Sequence, residues 1–266
     1  MYKSLLAISE GGPDAATTFG LAARIAGTFG GSVDAVHYAE LRAGDFDIAA
    51  QSLPFVRQQF DDQLKSRALH SEKIYKELMA PLPGSTYRDG RDLGREGLIA
   101  LGRAANLLVI GRPGDEVEDI APDTVRTALY DCARPVLIAP PNLANQPIES
   151  VVVAWNGSLQ AARALGYAMP FLEMARRVTV LTGGATPADV LRTLARHGID
   201  VRTDTIPDGS FSARARGRAL RNYARDKGAD LLVMGAYGHG QLADLLGLGG
   251  ATAKVISSCQ IGRAHV

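Results

Sequence analysis

The residues best suited to chemistry in this chain form two glycine-rich stretches near its C-terminal end. Gly235-Ala236-Tyr237-Gly238-His239-Gly240 follows the apolar run Leu231 to Met234, and Gly247-Leu248-Gly249-Gly250-Ala251-Thr252 leads into a helical pattern. A glycine lacks the Cβ that would keep backbone amides away from an anion, and a helix N-terminus adds unpaired N–H groups and a positive partial charge. Such loops suit a phosphate group, with the Thr252 hydroxyl and the His239 ring as further donors. The same glycines equally serve tight turns at the end of a sheet, and a loop histidine is commonly just solvated. A second candidate, Asn156 followed by Gly157-Ser158, closes the apolar run Val151 to Ala154. Its amide can bond a base edge or a ribose hydroxyl, or it can form an Asn-Gly turn that caps the next helix. Trp155 beside it can stack on a ligand or pack.

These residues need strands and helices to bring them together, and the sequence supplies two matching sets. Leu5 to Gly12, followed by Ala15-Ala16, aligns with Val151 to Ser158, followed by Ala161-Ala162. Ala105 to Gly114 aligns with Ala229 to Gly238 in spacing and character, and Cys132 and Cys259 fall at equivalent places. Repetition at this scale predicts two homologous modules. The apolar runs are continuous rather than alternating, as in parallel strands covered on both faces. In the first half, strands are expected near 3–8, 32–38, 84–88, 106–111 and 135–139, with helices near 14–28, 54–80, 92–104 and 124–133. In the second, strands fall near 150–155, 177–182, 200–206 and 230–235, with helices near 160–175, 186–197, 212–227 and 241–258. The expected fold is α/β, with two tandem open parallel five-stranded sheets carrying helices on both faces, the second lacking its native last strand. The modules span residues 1–141 and 148–266, separated by the proline-rich Pro140 to Pro147. Where the first half ends in Pro135-Val136-Leu137-Ile138-Ala139, the second ends in Ile261 to Val266, which looks like a translated sequencing-adapter tail and is read as non-native.

The bulk composition excludes several classes. The chain has 266 residues, 46% hydrophobic and 21% charged, and 29 Lys and Arg against 28 Asp and Glu leave a formal charge of +1. No field of one sign draws nucleic acid or an anionic membrane, and no apolar run approaches the ~20 residues of a membrane span. The start of the chain has no secretory signal, so a cytoplasmic protein is expected. The two cysteines have no Cys or His at metal-ligand spacing and are read as buried thiols.

Gly235-x2-Gly238 with the second glycine cluster and Thr252, together with Val151 to Ser158, resembles the universal stress protein family, and the resemblance covers both modules. It implies the fold of adenine nucleotide alpha hydrolases and a site in which the corresponding loops cradle the phosphates of ATP, with Mg²⁺ as a companion ion. An acidic residue commonly contacts the nucleoside in that family at the place of Asn156. Nine residues precede the family's Gly-Ser or Gly-Thr pair, whereas ten, His239 to Leu248, precede Gly249 here, and the cluster reads Gly-Gly-Ala-Thr. The ATP site implied for the second module comprises Asn156, Gly157, Gly235, Gly238, His239, Gly249, Gly250 and Thr252. The resemblance also implies an intramolecular pairing of the modules through their terminal strands, a possible homodimer, a protein partner, and a stress-response regulator without catalytic turnover.

No nucleotide is expected in the first module. There Gly111-Arg112-Pro113-Gly114 is followed by the carboxylates Asp115, Glu116, Glu118, Asp119 and Asp123, which would repel a triphosphate. The stretch Ser9 to Asp14 is faintly similar to the Ser-Gly-Gly-x-Asp-Ser loop of ATP pyrophosphatases, but Glu10 places a negative charge where pyrophosphate would sit and the final serine is Ala15. His37, His70 and His197 have no matched nucleophile. Arg214, Arg218, Arg221 and Arg225 share one helical face, as solvated surface or as a contact for an anion or a partner. The long helical stretch Pro54 to Leu78 is a second place for one. The rival readings are a ligand-free interaction module of the same fold and a slow ATP hydrolase.

Overall fold

A computed structural model describes residues 2–39, 54–113, 120–142, 146–184, 187–206, 213–236 and 262–265. The chain divides into two compact units, Tyr2–Arg134 and Pro135–Val266. No helix among the described residues is long and apolar enough to cross a membrane.

In the first unit β1 (Ser4–Ser9), β2 (Ser32–His37), β3 (Thr86–Asp89) and β4 (Leu107–Gly111) lie in the order β3-β2-β1-β4, all parallel. They alternate with α1 (Ala15–Phe29), α2 (Pro54–Leu78), α3 (Gly94–Ala104) and α4 (Pro122–Tyr130). Every residue of β4, and of β1 after Ser4, is buried, because helices cover both faces of a parallel sheet. The edge strand β3, Thr-Tyr-Arg-Asp, is largely exposed. The first helix, α1, buries Ala15, Thr18, Phe19, Ala22, Ile25, Ala26 and Phe29, the stripe its 3.6-residue period predicts. It stops at Gly30, whose φ of 58° lets its N–H turn back to the last carbonyls. Helix α2 is tied to the sheet edge by tyrosines: Tyr87 donates to the Ala68 carbonyl at 3.1 Å, Tyr75 donates to the Ser85 carbonyl at 3.0 Å, and the two rings lie 5.3 Å apart.

The second unit contains β5 (Val136–Ala139), β6 (Ser150–Trp155), β7 (Arg177–Thr182), β8 (Val201–Thr205) and β9 (Leu231–Met234), with α5 (Leu159–Leu172), α6 (Ala188–Arg196) and α7 (Ala213–Asp226). Four strands built on the expected runs are parallel in the order β9-β6-β7-β8. Beside β9 the four residues of β10 (Gly262–His265) run parallel, and β5 joins β10 antiparallel. The strand expected to end the first repeat thus pairs inside the second unit. Ala264 is the one apolar residue of β10, so the sequence gives this strand little of the apolar character of Val136–Ala139. The helix expected near 241–258 lies outside the described residues.

Equivalent side chains fix equivalent strands. Asn106 Oδ1 accepts the N–H groups of Lys3 and Ser4, each at 3.1 Å, just before β4. Asp230 Oδ2, just before β9, accepts those of Glu149 and Ser150 at 3.0 and 2.8 Å. One short polar side chain thus pins β1 to β4 in the first unit and β6 to β9 in the second. Cys132 is buried against Gly102, and burial pushes its thiol up to about 11, as expected of an inert structural cysteine. Cys259 lies outside the described residues.

Candidate functional site

In an open parallel α/β sheet the ligand crevice lies beyond the carboxyl ends of the strands. In the second unit, β6 delivers Asn156 and Gly157 to that edge and β9 delivers Gly235. Asn156 and Gly157 are both exposed. Asn156 Oδ1 accepts the Ser158 N–H at 3.1 Å, Gly157 takes a φ of 72°, and Ser158 Oγ accepts the Ala161 N–H at 3.1 Å as the N-cap of α5. This is the capping turn that the Asn-Gly pair allows. Replacing Ser158 by alanine should cost about 1 kcal/mol, read as a lowered urea midpoint with an unchanged slope.

Gly235 has a packing role. A Cβ built on it would lie 2.7 Å from the Ala161 nitrogen and 2.7 Å from the Gln160 carbonyl carbon, so only glycine lets α5 start this close to the end of β9. The first unit repeats the approach: a Cβ on Gly111 would run into the Asp14 carboxyl group. Gly238, His239, Gly249, Gly250 and Thr252 lie outside the described residues, as does the acidic run Asp115 to Asp119.

The first unit carries a buried polar cluster that sequence reasoning did not assemble. Glu10 stands at the place of Asn156, and Asp14 at that of Gln160. The Glu10 side chain points inward, where Thr124 Oγ1 donates to its Oε1 at 2.6 Å and the Ala121 N–H adds a second bond from the start of α4. Both Glu10 and Thr124 are buried. Burial pushes the Glu10 carboxyl up to about 7 against the pull of these donors; Asp14 nearby adds to the rise, and Arg67 on α2 opposes it. Gly11 is closed over by α2, since a Cβ on it would lie 2.3 Å from the Arg67 carbonyl oxygen. At the end of β2, His37 is fully buried, and that burial lowers its ring to about 4, although the Asp89 carboxylate favours the charged form. Asp89 itself is held below the usual range chiefly by its hydrogen bonds from Arg91, the shortest 2.6 Å. The signal for Glu10 was present in the alignment of Ser9-Glu10-Gly11 with Trp155-Asn156-Gly157, and Asp123-Thr124 stands where the resembled family has Gly-Ser; what the sequence did not show was that the two, 114 residues apart, would pair.

The described residues of the second unit fit an adenine nucleotide in three respects. At the edge, Asn156 and Gly157 are uncharged and exposed among the described residues. Among the described residues no acceptor takes the Asn156 amide nitrogen, and the buried Gln160 Oε1 has no hydrogen-bond partner there. In the first unit the same positions are carboxylates, and the Glu10–Thr124 bond spans the strand ends from β1 to α4. No group of three or more His, Cys, Asp and Glu side chains suited to a metal ion occurs among the described residues.

Neither a family model nor a curated protein matches the sequence. Among solved structures, a universal stress protein from Archaeoglobus fulgidus DSM 4304 superposes with a TM-score of 0.62 at 16% sequence identity, covering 98% of this chain and 95% of that one. Universal stress protein UspA from Lactobacillus plantarum is 19% identical, with a TM-score of 0.29 over 45% of this chain and 99% of its own. A protein of the universal stress protein family from Burkholderia pseudomallei is 21% identical, with a TM-score of 0.27 over 35% and 85%. In fold, this chain is like a universal stress protein along nearly its whole length.

Proposed function

We propose that the chain is a tandem universal stress protein, a non-catalytic regulator that binds ATP in its second unit and not in its first. The observation that carries this reading is the contrast between equivalent positions. In the first unit a triphosphate would meet the Asp14 carboxylate, and the buried Glu10, bonded to Thr124, closes the strand ends to it. Asn156 and Gln160 replace them in the second unit and remove that repulsion. Asn156 would bond the nucleoside, and the glycine loops from Gly235 to Thr252 would hold the phosphates. When bound, ATP with Mg²⁺ would supply a charged group whose presence biases the choice of protein partner. Cytoplasmic location and pairing of the repeats through their terminal strands belong to the same reading.

Calorimetric titration of the full chain with Mg-ATP tests it. One saturable site is expected, and Gly238→Asp, which puts a carboxylate in the cradle, should weaken it at least tenfold. Absence of binding to the folded wild-type chain would leave the second reading, a ligand-free interaction module. That reading has its own support: Asn156 already serves a turn, and Gly235 already serves packing.

A further inference from the structure

We propose that the contact between Glu10 and Thr124 is a proton-controlled latch on the first unit, closed while Glu10 carries its proton and opened by its loss. Three observations lead there. The Glu10 carboxyl group is the bond between two elements remote in sequence, the end of β1 and the start of α4, through Thr124 Oγ1 at 2.6 Å and the Ala121 N–H. It is enclosed on its remaining sides: Asp14 faces it from the start of α1, and Arg67 from α2, whose backbone seals Gly11. Among the described residues the enclosure holds one negative and one positive neighbour besides the two neutral donors, and its burial outweighs the donors, so a proton on Glu10 is favoured over a bare charge.

The direction of the switch follows from this enclosure. A neutral carboxyl can accept both donors on its carbonyl oxygen without placing a charge in the interior. An ionised one gains free energy by reaching water, and it reaches water only if α4 moves off β1. Closed, the group titrates at about 7; swung into solvent, it titrates at its ordinary 4.5. Linkage then requires the open fraction to rise with pH between those values, on the order of a hundredfold in all. Thr124 supplies the side-chain half of the closed contact, its hydroxyl donating to Oε1 at 2.6 Å.

Native-state hydrogen exchange on the full chain tests the latch, with rates corrected for intrinsic pH dependence. Amides of α4, Val125 and Ala128 among them, should open at least tenfold more often at pH 8 than at pH 5, while those of α1 should not change. In Glu10→Gln, where the side chain keeps its acceptor and cannot ionise, α4 should stay protected at both values. Thr124→Val should leave α4 poorly protected at every pH. Opening of wild-type α4 that does not depend on pH would overturn the latch, as would a pH dependence that survives in Glu10→Gln. Since none of these readouts involves nucleotide, they stand whether or not the second unit binds ATP.

Discussion

Glu10→Gln should be more stable than the wild-type chain at neutral pH, by about 3 kcal/mol, and equal to it near pH 4.5. The folded carboxyl group titrates at about 7, against its ordinary 4.5. Between these values the unfolded chain gives up the proton while the folded chain keeps it, so the unfolded state binds fewer protons and stability falls as pH rises. At ~1.4 kcal/mol per pKa unit, the difference reaches about 3 kcal/mol above pH 7. His37 works in the other direction. Its folded value is about 4 against 6.5, so the unfolded chain takes up a proton first on acidification, and stability rises with pH between those values. The two effects oppose each other over the window from about 4.5 to 6.5, and the wild-type profile should be nearly flat there. Glutamine at position 10 removes the falling limb and leaves the rising one. Urea unfolding followed by circular dichroism from pH 4.5 to 8 measures this. A variant that differs from wild type by the same amount at every pH would show that Glu10 titrates like any exposed carboxylate.

Gly11→Ala should be among the most damaging single methyl additions in the first unit, costing about 3 kcal/mol. Two penalties combine. At a φ of 74°, alanine pays roughly 1 kcal/mol for the left-handed backbone. The added Cβ would also lie 2.3 Å from the Arg67 carbonyl oxygen and 2.7 Å from its carbon, which are backbone atoms of α2 and cannot rotate away; overpacking of that kind costs roughly 1–3 kcal/mol. Gly157→Ala separates the two penalties. Its φ is 72°, nearly the same, but none of the described residues lies within 4 Å of the added Cβ, so it should cost only about 1 kcal/mol. Equal losses of urea midpoint in the two variants would mean that α2 does not press on Gly11.

Much of the architecture is legible in the sequence because burial on both faces leaves a plain mark. Leu107 to Ile110 and Leu231 to Met234 are continuous apolar runs, and both became central strands within a residue or two of expectation. The helices α1 and α5 start beside Asp14 and Ser158, where the turn residues place them. Even the polar edge strand Val201–Thr205 was readable, since valine and threonines favour an extended chain. The site was less legible. Glycine after a strand has one appearance in sequence whether it admits a phosphate or a helix, and Gly235 became the approach point of α5. Asn156 likewise reads the same as ligand donor or turn former, and its Oδ1 is in the turn. The Glu10 cluster depends on Thr124, which is 114 residues away. No local pattern encodes such a pairing; only the parallel order of β1 and β4 creates it.

The pinning of each first strand by Asn106 and Asp230 also bears on how the units assemble. Each pin joins residues far apart along the chain, 103 positions in the first unit and 81 in the second. The central strand of each sheet therefore finds one neighbour locally, across its own α/β crossover, and the other only after nearly the whole unit has been threaded. Long-range parallel pairing of this kind slows folding. Chain length itself changes little: closing the longer loop costs only about 0.2 kcal/mol more, because closure entropy grows with the logarithm of length. The first unit can thus accommodate the 25-residue α2 as an insertion at almost no entropic disadvantage, and what that helix does for the unit is decided by where it lands, on Gly11 and the strand ends.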